Sequence, residues 1–381
     1  MIERAQALGM LSQTLDENPV CALLGPRQCG KSTLARMLAD GRKAHWFDLE
    51  RAGDQAALKQ PELALRPLKG LVIIDEVQRK PELFATLRPL TDRRDSPARF
   101  LLLGSASPDI VKGVSESLAG RVGFVDLGGF HIGEVGSQKS GPLWLRGGFP
   151  RSFLAASNAA CQRWRSAFIR TFLERDVPQL GIQTPAETLQ RFWTMVAHYH
   201  AQVWNAAELA RSLGASEPTA RRYLDILCGT CVARRLQPWH TNLGKRELKS
   251  PKVYLRDSGL LHALLGIGTR RELLSHPKLG ASWEGFALEQ VLALFGAEDA
   301  WFWATHNGAE LDLLLFRKGK AWGFEFKVDD GPTMTKSLHI ALQDLNLEHA
   351  WVIHPGDKRY SLHENAEAIP LAQIESLAEK L

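Results

Sequence analysis

The sequence predicts an α/β protein: a parallel-sheet domain first, a helical and helix-turn-helix stretch next, and a smaller α/β domain last. Three observations carry this reading. Gly25–Thr33 reads G-P-R-Q-C-G-K-S-T and fits G-x-x-x-x-G-K-[ST] between an apolar run and a helical pattern. Leu71–Glu76 reads L-V-I-I-D-E, an apolar run closed by two acids. Glu310–Lys327 holds two apolar runs joined at Gly319-Lys320, the second ending in E-F-K.

Composition bounds the rest. At 381 residues the chain has room for two or three domains. Its apolar share of 45% and charged share of 23% are those of a soluble globular protein. No apolar run approaches a membrane span. The N-terminal residues lack the basic and apolar segments of a secretory signal, and five scattered cysteines make no disulfide framework. The expected location is therefore the cytoplasm, with no membrane partner. The net charge of +5 permits nucleic acid without demanding it.

In chain order, residues 1–19 read as a helix stopped by Pro19, and Val20–Leu24 as a buried strand. Gly25, Pro26, Arg27, Gln28, Cys29, Gly30, Lys31, Ser32 and Thr33 then form a phosphate-binding loop. Glycines let the loop backbone curl its N–H groups onto one anion, and the following helix aims its positive end there. Lys31 would reach the β- and γ-phosphates of ATP, and the Ser32 hydroxyl would ligate Mg²⁺. Ala44–Leu49 reads as a second strand and residues 58–68 as a helix broken by Pro61 and Pro67. Leu71–Glu76 is a buried parallel strand whose acids reach the sheet edge where open α/β sheets bind ligands. Asp75 would hold Mg²⁺ through its water shell, and Glu76 would polarise the attacking water. Phe100–Ser107 is another strand ending in small polar residues, and Arg121 stands where a helix gives way to the strand 122–127. An arginine at a helix end is also favourable in its own right.

The segments G-P-R-Q-C-G-K-S-T, I-I-D-E-V-Q-R-K-P, L-L-G-S-A-S and S-L-A-G-R-V together resemble a group of bacterial and archaeal AAA-type P-loop ATPases with a C-terminal domain of unknown function. The resemblance implies an ATPase with ATP and Mg²⁺ as cofactors. It makes Ser105, with Ser107 second, the candidate sensor of the γ-phosphate. It gives Arg121 a role in stabilising γ-phosphate charge, in cis or from a neighbouring subunit, so a homo-oligomer is among the implied partners. Ser32 stands where the group usually has Thr, which keeps the hydroxyl, and Ala106 interrupts the usual serine run. The resemblance continues through G-G-F-P at 147–150 and Leu173–Val177, which look like the group's lid-like helical segment, and into the C-terminal part from Tyr254 onward.

Glycine-rich sequence after residue 128 marks a boundary. Asn158–Arg175 has helical spacing, with Trp164, Phe168 and Phe172 on one core-facing side. Residues 189–240 read as helix, glycine turn, helix and basic strand, and resemble a winged helix-turn-helix. In a DNA-binding version, Thr219, Arg221 and Arg222 would meet phosphates or base edges, and Arg234 and Arg235 the backbone. Such modules also serve as protein-binding spacers. Cys228 and Cys231 form a C-x-x-C without further ligands, and read as small packed residues.

Near the C-terminus an acidic helix at 280–289 precedes a hairpin that carries Asp312 on one strand and E-x-K on the other. Strand alternation puts Glu325 and Lys327 on one face. Asp312, Glu325 and Lys327, with Glu284 from the helix, form the constellation of a restriction-endonuclease-like (PD-(D/E)XK-like) domain. Its carboxylates would ligate Mg²⁺ and its lysine would steady the attacking water. Carboxylates around a lysine also make a plain structural ion pair. Residues 370–381 read as a closing amphipathic helix.

The expected organisation is an ATPase domain at 1–130, a helical lid at 131–188, a winged helix at 189–245 and a nuclease-like domain at 246–381. The expected function is ATP hydrolysis near DNA. The alternatives are a Mg²⁺-dependent DNA endonuclease with a regulatory ATPase, and a nucleotide-dependent switch that binds a protein.

Overall fold

Strands β1 (Val20–Gly25), β2 (Ala44–Asp48), β3 (Gly70–Asp75), β4 (Ala98–Ser105) and β5 (Val122–Asp126) pair in parallel in the order β2-β3-β4-β1-β5. Parallel strands are covered on both faces, which is why β1, β3 and β4 are almost wholly apolar and buried. Val20, Leu24, Val72, Ile74, Phe100 and Leu102 share a core with Leu83, Phe84 and Leu87 of the helix Leu83–Thr91. The register sets Gly25 beside Ser105 and Asp48 beside Asp75. The polar ends of four strands thus meet along one edge. The broken helical stretch expected at 58–68 is helical at Pro61–Leu65, and it follows a first helix, Ala52–Ala57. Pro61 opens the second, where its missing N–H has no helical partner to lose.

The computed structural model describes residues 2–93, 98–105, 108–179, 182, 184–240 and 250–381, with the backbone alone for 108–112. Ser107 and the expected boundary at 245 lie outside the described residues. The chain forms two compact units. One is Met1–Gly129 with Gly229–Cys231, and the other is Phe130–Cys228 with Val232–Leu381. The described parts of 131–188, 189–245 and 246–381, read from sequence as separate domains, lie almost entirely in the second.

Among the described residues, that unit is organised by a nine-stranded mixed sheet. Its strands are β6 (Gln202–Val203), β7 (Ala233–Pro238), β8 (Lys252–Leu255), β9 (Ala300–Ala304), β10 (Glu310–Arg317), β11 (Lys320–Phe326), β12 (His349–His354), β13 (Tyr360–His363) and β14 (Ala366–Pro370). The order is β13-β14-β12-β11-β10-β9-β7-β8-β6. The strand expected as part of a wing, β7, pairs with β8 on one side and with β9 on the other. Lys318 and Gly319 both take positive φ, 51° and 76°, which is the two-residue turn that suits the twist of the β10–β11 hairpin. The helix Leu279–Phe295 packs on β11 and is apolar on nearly every side. Trp164, Phe168, Phe172 and Trp193 form a continuous aromatic row with centroids 4.9 to 6.4 Å apart. The expected closing helix is instead a 3₁₀ helix, Leu371–Leu377. Its buried residues Leu371, Ile374 and Leu377 recur every third position, the period of that tighter helix.

Gly147, at φ +78°, is needed for a close approach. A Cβ there would lie 2.2 Å from the Asp257 carboxylate. That carboxylate accepts from the Gly148 N–H at 2.7 Å and caps the helix Ser258–Leu264 through the Leu260 N–H at 2.8 Å. G-G-F-P and D-S-G-L are therefore one structural joint.

Two buried histidines give the second unit a pH signature. His200 Nδ1 accepts from the Leu255 N–H at 2.9 Å, and burial pushes its pKa down to about 3. His262 lies 3.0 Å from the Leu145 carbonyl and 2.7 Å from Ser282 Oγ, and burial takes it down to about 4. Unfolded imidazoles bind protons below pH ~6.5 that these two refuse, so both weaken the fold as the pH falls below that value. Glu284 acts in the opposite sense. Burial first, and the Asp312 charge second, push its carboxyl up to about 7, so its cost grows as the pH rises from 4.5 towards 7. The expected outcome is that ring signals of His200 and His262, followed by NMR, stay in the neutral form from about pH 8 to pH 5 while a solvated histidine titrates near 6.5. Titration of either ring in that range would contradict its buried, neutral state.

Candidate nucleotide-binding site

The loop after β1 is held from below. Gly25 has no room for a side chain, since a Cβ would lie 2.1 Å from the Leu127 carbonyl oxygen. Gln28 at φ 62° and Gly30 at φ 107° turn the backbone through left-handed conformations just before the helix Lys31–Ala39. Such a turn, followed by a helix N-terminus, makes a concave row of N–H groups suited to phosphate. Cys29 is fully buried, and its carbonyl accepts from the Arg4 guanidinium at 3.2 Å. Arg4 also donates to the Gly128 and Gly129 carbonyls at 3.3 and 3.0 Å. One buried side chain therefore ties the loop to the segment that follows β5.

The reactive side chains converge at this edge. Lys31 Nζ donates to the Gly25 and Pro26 carbonyls at 3.0 and 2.9 Å. Ser32 Oγ donates to Asp75 Oδ2 at 2.8 Å, and Asp75 Oδ1 accepts from the Glu76 N–H at 3.0 Å. Burial raises the Asp75 pKa above the usual carboxylate value. The Ser32 hydrogen bond opposes that rise, Glu76 adds to it, and Lys31 opposes it. Glu76 sits at φ 55°, a conformation uncommon for a residue with a side chain. Its carboxylate meets Arg27 at 3.5 Å and accepts from the Gln78 amide. Ser105 is Gly25's neighbour in register, and Thr33 is exposed on the first turn of the helix. A hydroxyl beside a buried carboxylate is a hard-oxygen donor pair of the kind Mg²⁺ takes, and the N–H row beside Lys31 suits a triphosphate. The residues present fit ATP·Mg²⁺.

Arg121 requires a correction. It precedes β5, and its carbonyl accepts from the Val20 N–H at 3.1 Å, at the start of β1. The loop begins at the other end of β1, about 17 Å away at ~3.3 Å per residue. The side chain pairs with Asp92, with Nη2 2.9 Å from Oδ2. A cis contact with the γ-phosphate is out of its reach. Arg4 and Gln78 were not singled out from sequence. Arg4 acts on backbone carbonyls up to 125 positions away, and no local pattern reports such contacts.

The second unit also gathers its four expected residues, with additions. Lys327 Nζ is 3.4 Å from Glu325 Oε2, and Asp312 Oδ2 accepts from the Phe326 N–H at 3.1 Å. Lys252, on β8, links this pair of strands to Glu284. Its Nζ is 3.1 Å from Glu284 Oε1, 3.3 Å from Asp312 Oδ1, and also bound to Glu310. Tyr254 O–H donates to Glu284 Oε1 at 2.7 Å. A cavity of about 300 Å³ opens here, lined in part by Glu310, Asp312, Glu325, Lys327 and Thr335. Lys252 and Tyr254 lie outside the D…E-x-K pattern, which is why the sequence did not mark them.

The expected DNA-contacting residues divide. Arg221 and Arg222 are exposed on the helix Glu217–Gly229, with Arg221 loosely paired to Glu217 at 3.8 Å. Thr219 bonds the Ser216 hydroxyl at 2.9 Å at the helix start. Arg235 pairs with Asp225 at 2.7 Å. Arg234 turns inward, with Nη2 3.0 Å from Glu289 Oε2. Burial alone would raise the Glu289 pKa, but Arg234 and Arg256 outweigh it and hold the carboxylate below its ordinary value. Arg234 is a structural ion-pair partner, so its expected contact with a DNA backbone is not met.

Residues 17–136 match the AAA domain family. Residues 139–271 and 279–374 match two domains of unknown function, DUF8612 and DUF4143. The chain is 50% identical over 374 residues to the uncharacterized proteins Rv2008c of Mycobacterium tuberculosis and Mb2031c of Mycobacterium bovis, covering 98% of this chain and 85% of each relative. The chain belongs to their family. Among solved structures, the Walker-type ATPase PABY2304 of Pyrococcus abyssi aligns with a TM-score of 0.47 at 15% identity, over 70% of this chain and 96% of that one.

Arg234→Ala is expected to lower the unfolding free energy of the second unit by roughly 3 kcal/mol, because it leaves Glu289 short of a buried partner. Arg4→Ala is expected to cost roughly 1–3 kcal/mol in the first unit by stripping buried carbonyls. Urea denaturation of each variant checks both, and wild-type midpoints would refute the assigned packing roles.

Proposed function

We propose that the N-terminal AAA domain binds ATP with Mg²⁺ and hydrolyses it. The observation that carries this reading is the convergence of Lys31, Ser32, Asp75 and Glu76 on one sheet edge, with the Ser32 hydroxyl 2.8 Å from Asp75. Bound ATP·Mg²⁺ would supply the electrophilic γ-phosphorus and neutralise part of its charge. Lys31 exchanges the Gly25 and Pro26 carbonyls for phosphate oxygens. Ser32 and Asp75 would hold the metal's ligand sphere. Glu76, released from Arg27 and Gln78, orients the attacking water and receives its proton on a carboxylate oxygen. Ser105, next to Gly25 in the sheet, would hydrogen-bond the γ-phosphate.

A second element of the proposal concerns DNA. The exposed Arg221 and Arg222, on a helix opened by Ser216 and Thr219, support phosphate contact by that face. The inward Arg234 takes no part in it. Salt-sensitive stimulation of ATP turnover by duplex DNA, reduced in Arg221→Ala/Arg222→Ala, is the expected result.

Lys31→Ala is expected to weaken ATP binding about a hundredfold or more, and Glu76→Gln to keep binding while turnover falls by about 10²–10³. Equilibrium binding of a fluorescent ATP analogue and phosphate release measure the two separately. Unchanged turnover in Glu76→Gln would overturn the water-orienting role.

A further inference from the structure

The D…E-x-K arrangement of β10 and β11 would, in a metal-dependent nuclease, place a divalent ion on Asp312 and Glu325. Most of the carboxylate oxygens here are already engaged, although the buried Glu325 Oε2 has no hydrogen-bond partner among the described residues. Asp312 Oδ2 accepts from the Phe326 N–H at 3.1 Å, and Asp312 Oδ1 faces Lys252 Nζ at 3.3 Å. Glu284 Oε1 takes both the Tyr254 hydroxyl at 2.7 Å and Lys252 Nζ at 3.1 Å. Glu310 contributes a third carboxylate to the same ammonium. Glu325 Oε1 accepts from Thr335 Oγ1 at 3.4 Å, and its Oε2 faces Lys327.

We infer that the Lys252 ammonium is the resident cation of this cluster and occupies the place a divalent ion would need. The geometry leaves little choice between them. A divalent ion on Asp312 Oδ1 would sit roughly 2.0–2.6 Å from that oxygen, beside an ammonium held by the same atom. Two positive centres so close repel strongly. Lys252 does not readily step aside. Its side chain is 3% exposed, and its strand is paired on both flanks, to Leu236 of β7 and Val203 of β6. Its departure would strip the Glu284, Glu310 and Asp312 carboxylates of the ammonium they share, which costs more than the pair ever gained. The cluster is thus a metal-free ionic lock that ties β8 and the helix Leu279–Phe295 to the β10–β11 hairpin. This inference is independent of nucleotide binding in the first unit.

Mn²⁺ binding to the nucleotide-free full chain, followed by electron paramagnetic resonance, tests it. Subtracting the Asp312→Asn titration removes Mn²⁺ held elsewhere, and Glu325→Gln serves as a second subtraction. Wild type is expected to show no Asp312-dependent Mn²⁺ site at millimolar metal. Lys252→Met is expected to bind Mn²⁺ about tenfold or more tightly than wild type, to melt at lower temperature, and to recover stability when Mn²⁺ is added. Adding Asp312→Asn to it should abolish the gain. Lys252→Met/Glu284→Gln, which carries one buried charge fewer, is the second variant should the first fail to fold. An Asp312-dependent Mn²⁺ site in wild type would overturn the inference, as would the lack of any Mn²⁺ gain in both Lys252 variants.

Discussion

A parallel sheet sends every strand's C-terminal end to the same edge, and the candidate nucleotide site depends on that constraint before any side chain is considered. β1, β3 and β4 are almost wholly apolar because both faces are covered. Polar residues can enter only where the strands stop. Gly25, Asp75 and Ser105 are those stopping points, and the register sets Gly25 beside Ser105. Arg121 shows the same constraint from the other side. It stands at the start of β5 and so at the opposite edge, where it pairs with Asp92.

Both units bury charge, and they solve its desolvation cost differently. In the first, Lys31 rests on two backbone carbonyls and Arg4 on three, so that uncharged dipoles carry the load. Those contacts are exchangeable, which suits a lysine that must turn to a phosphate. In the second, Lys252 faces three carboxylates, and Glu289 is held between Arg234 and Arg256. Such pairs are hard to break one partner at a time. One arrangement is poised to change partners and the other to stay.

What the sequence disclosed follows from how local each signal is. The loop at 25–33, the acids at 75–76 and the hairpin at 310–327 are contiguous patterns whose chemistry reads directly from residue order. The aromatic row at 164–172 obeys helical spacing and packs as expected. Lys252, Tyr254 and Arg4 were illegible because their partners lie 30 or more positions away or on the backbone. Arg234 misled for a related reason. Its neighbours look like an exposed basic strand, but β7 is flanked by strands on both sides and its arginine meets a buried glutamate from a distant helix. The 3₁₀ helix at 371–377 is illegible in sequence because, over so few residues, an apolar repeat of three resembles one of nearly four.

The placement of β7 between β8 and β9 bears on modularity. Sequence divides the C-terminal two thirds into separable pieces, yet one backbone ladder runs across the division. Cutting the chain between the helix-turn-helix segment and the hairpin domain would expose two raw strand edges, each a template for pairing with another chain. The helical segment and the hairpin domain therefore share one sheet and fold as a single piece.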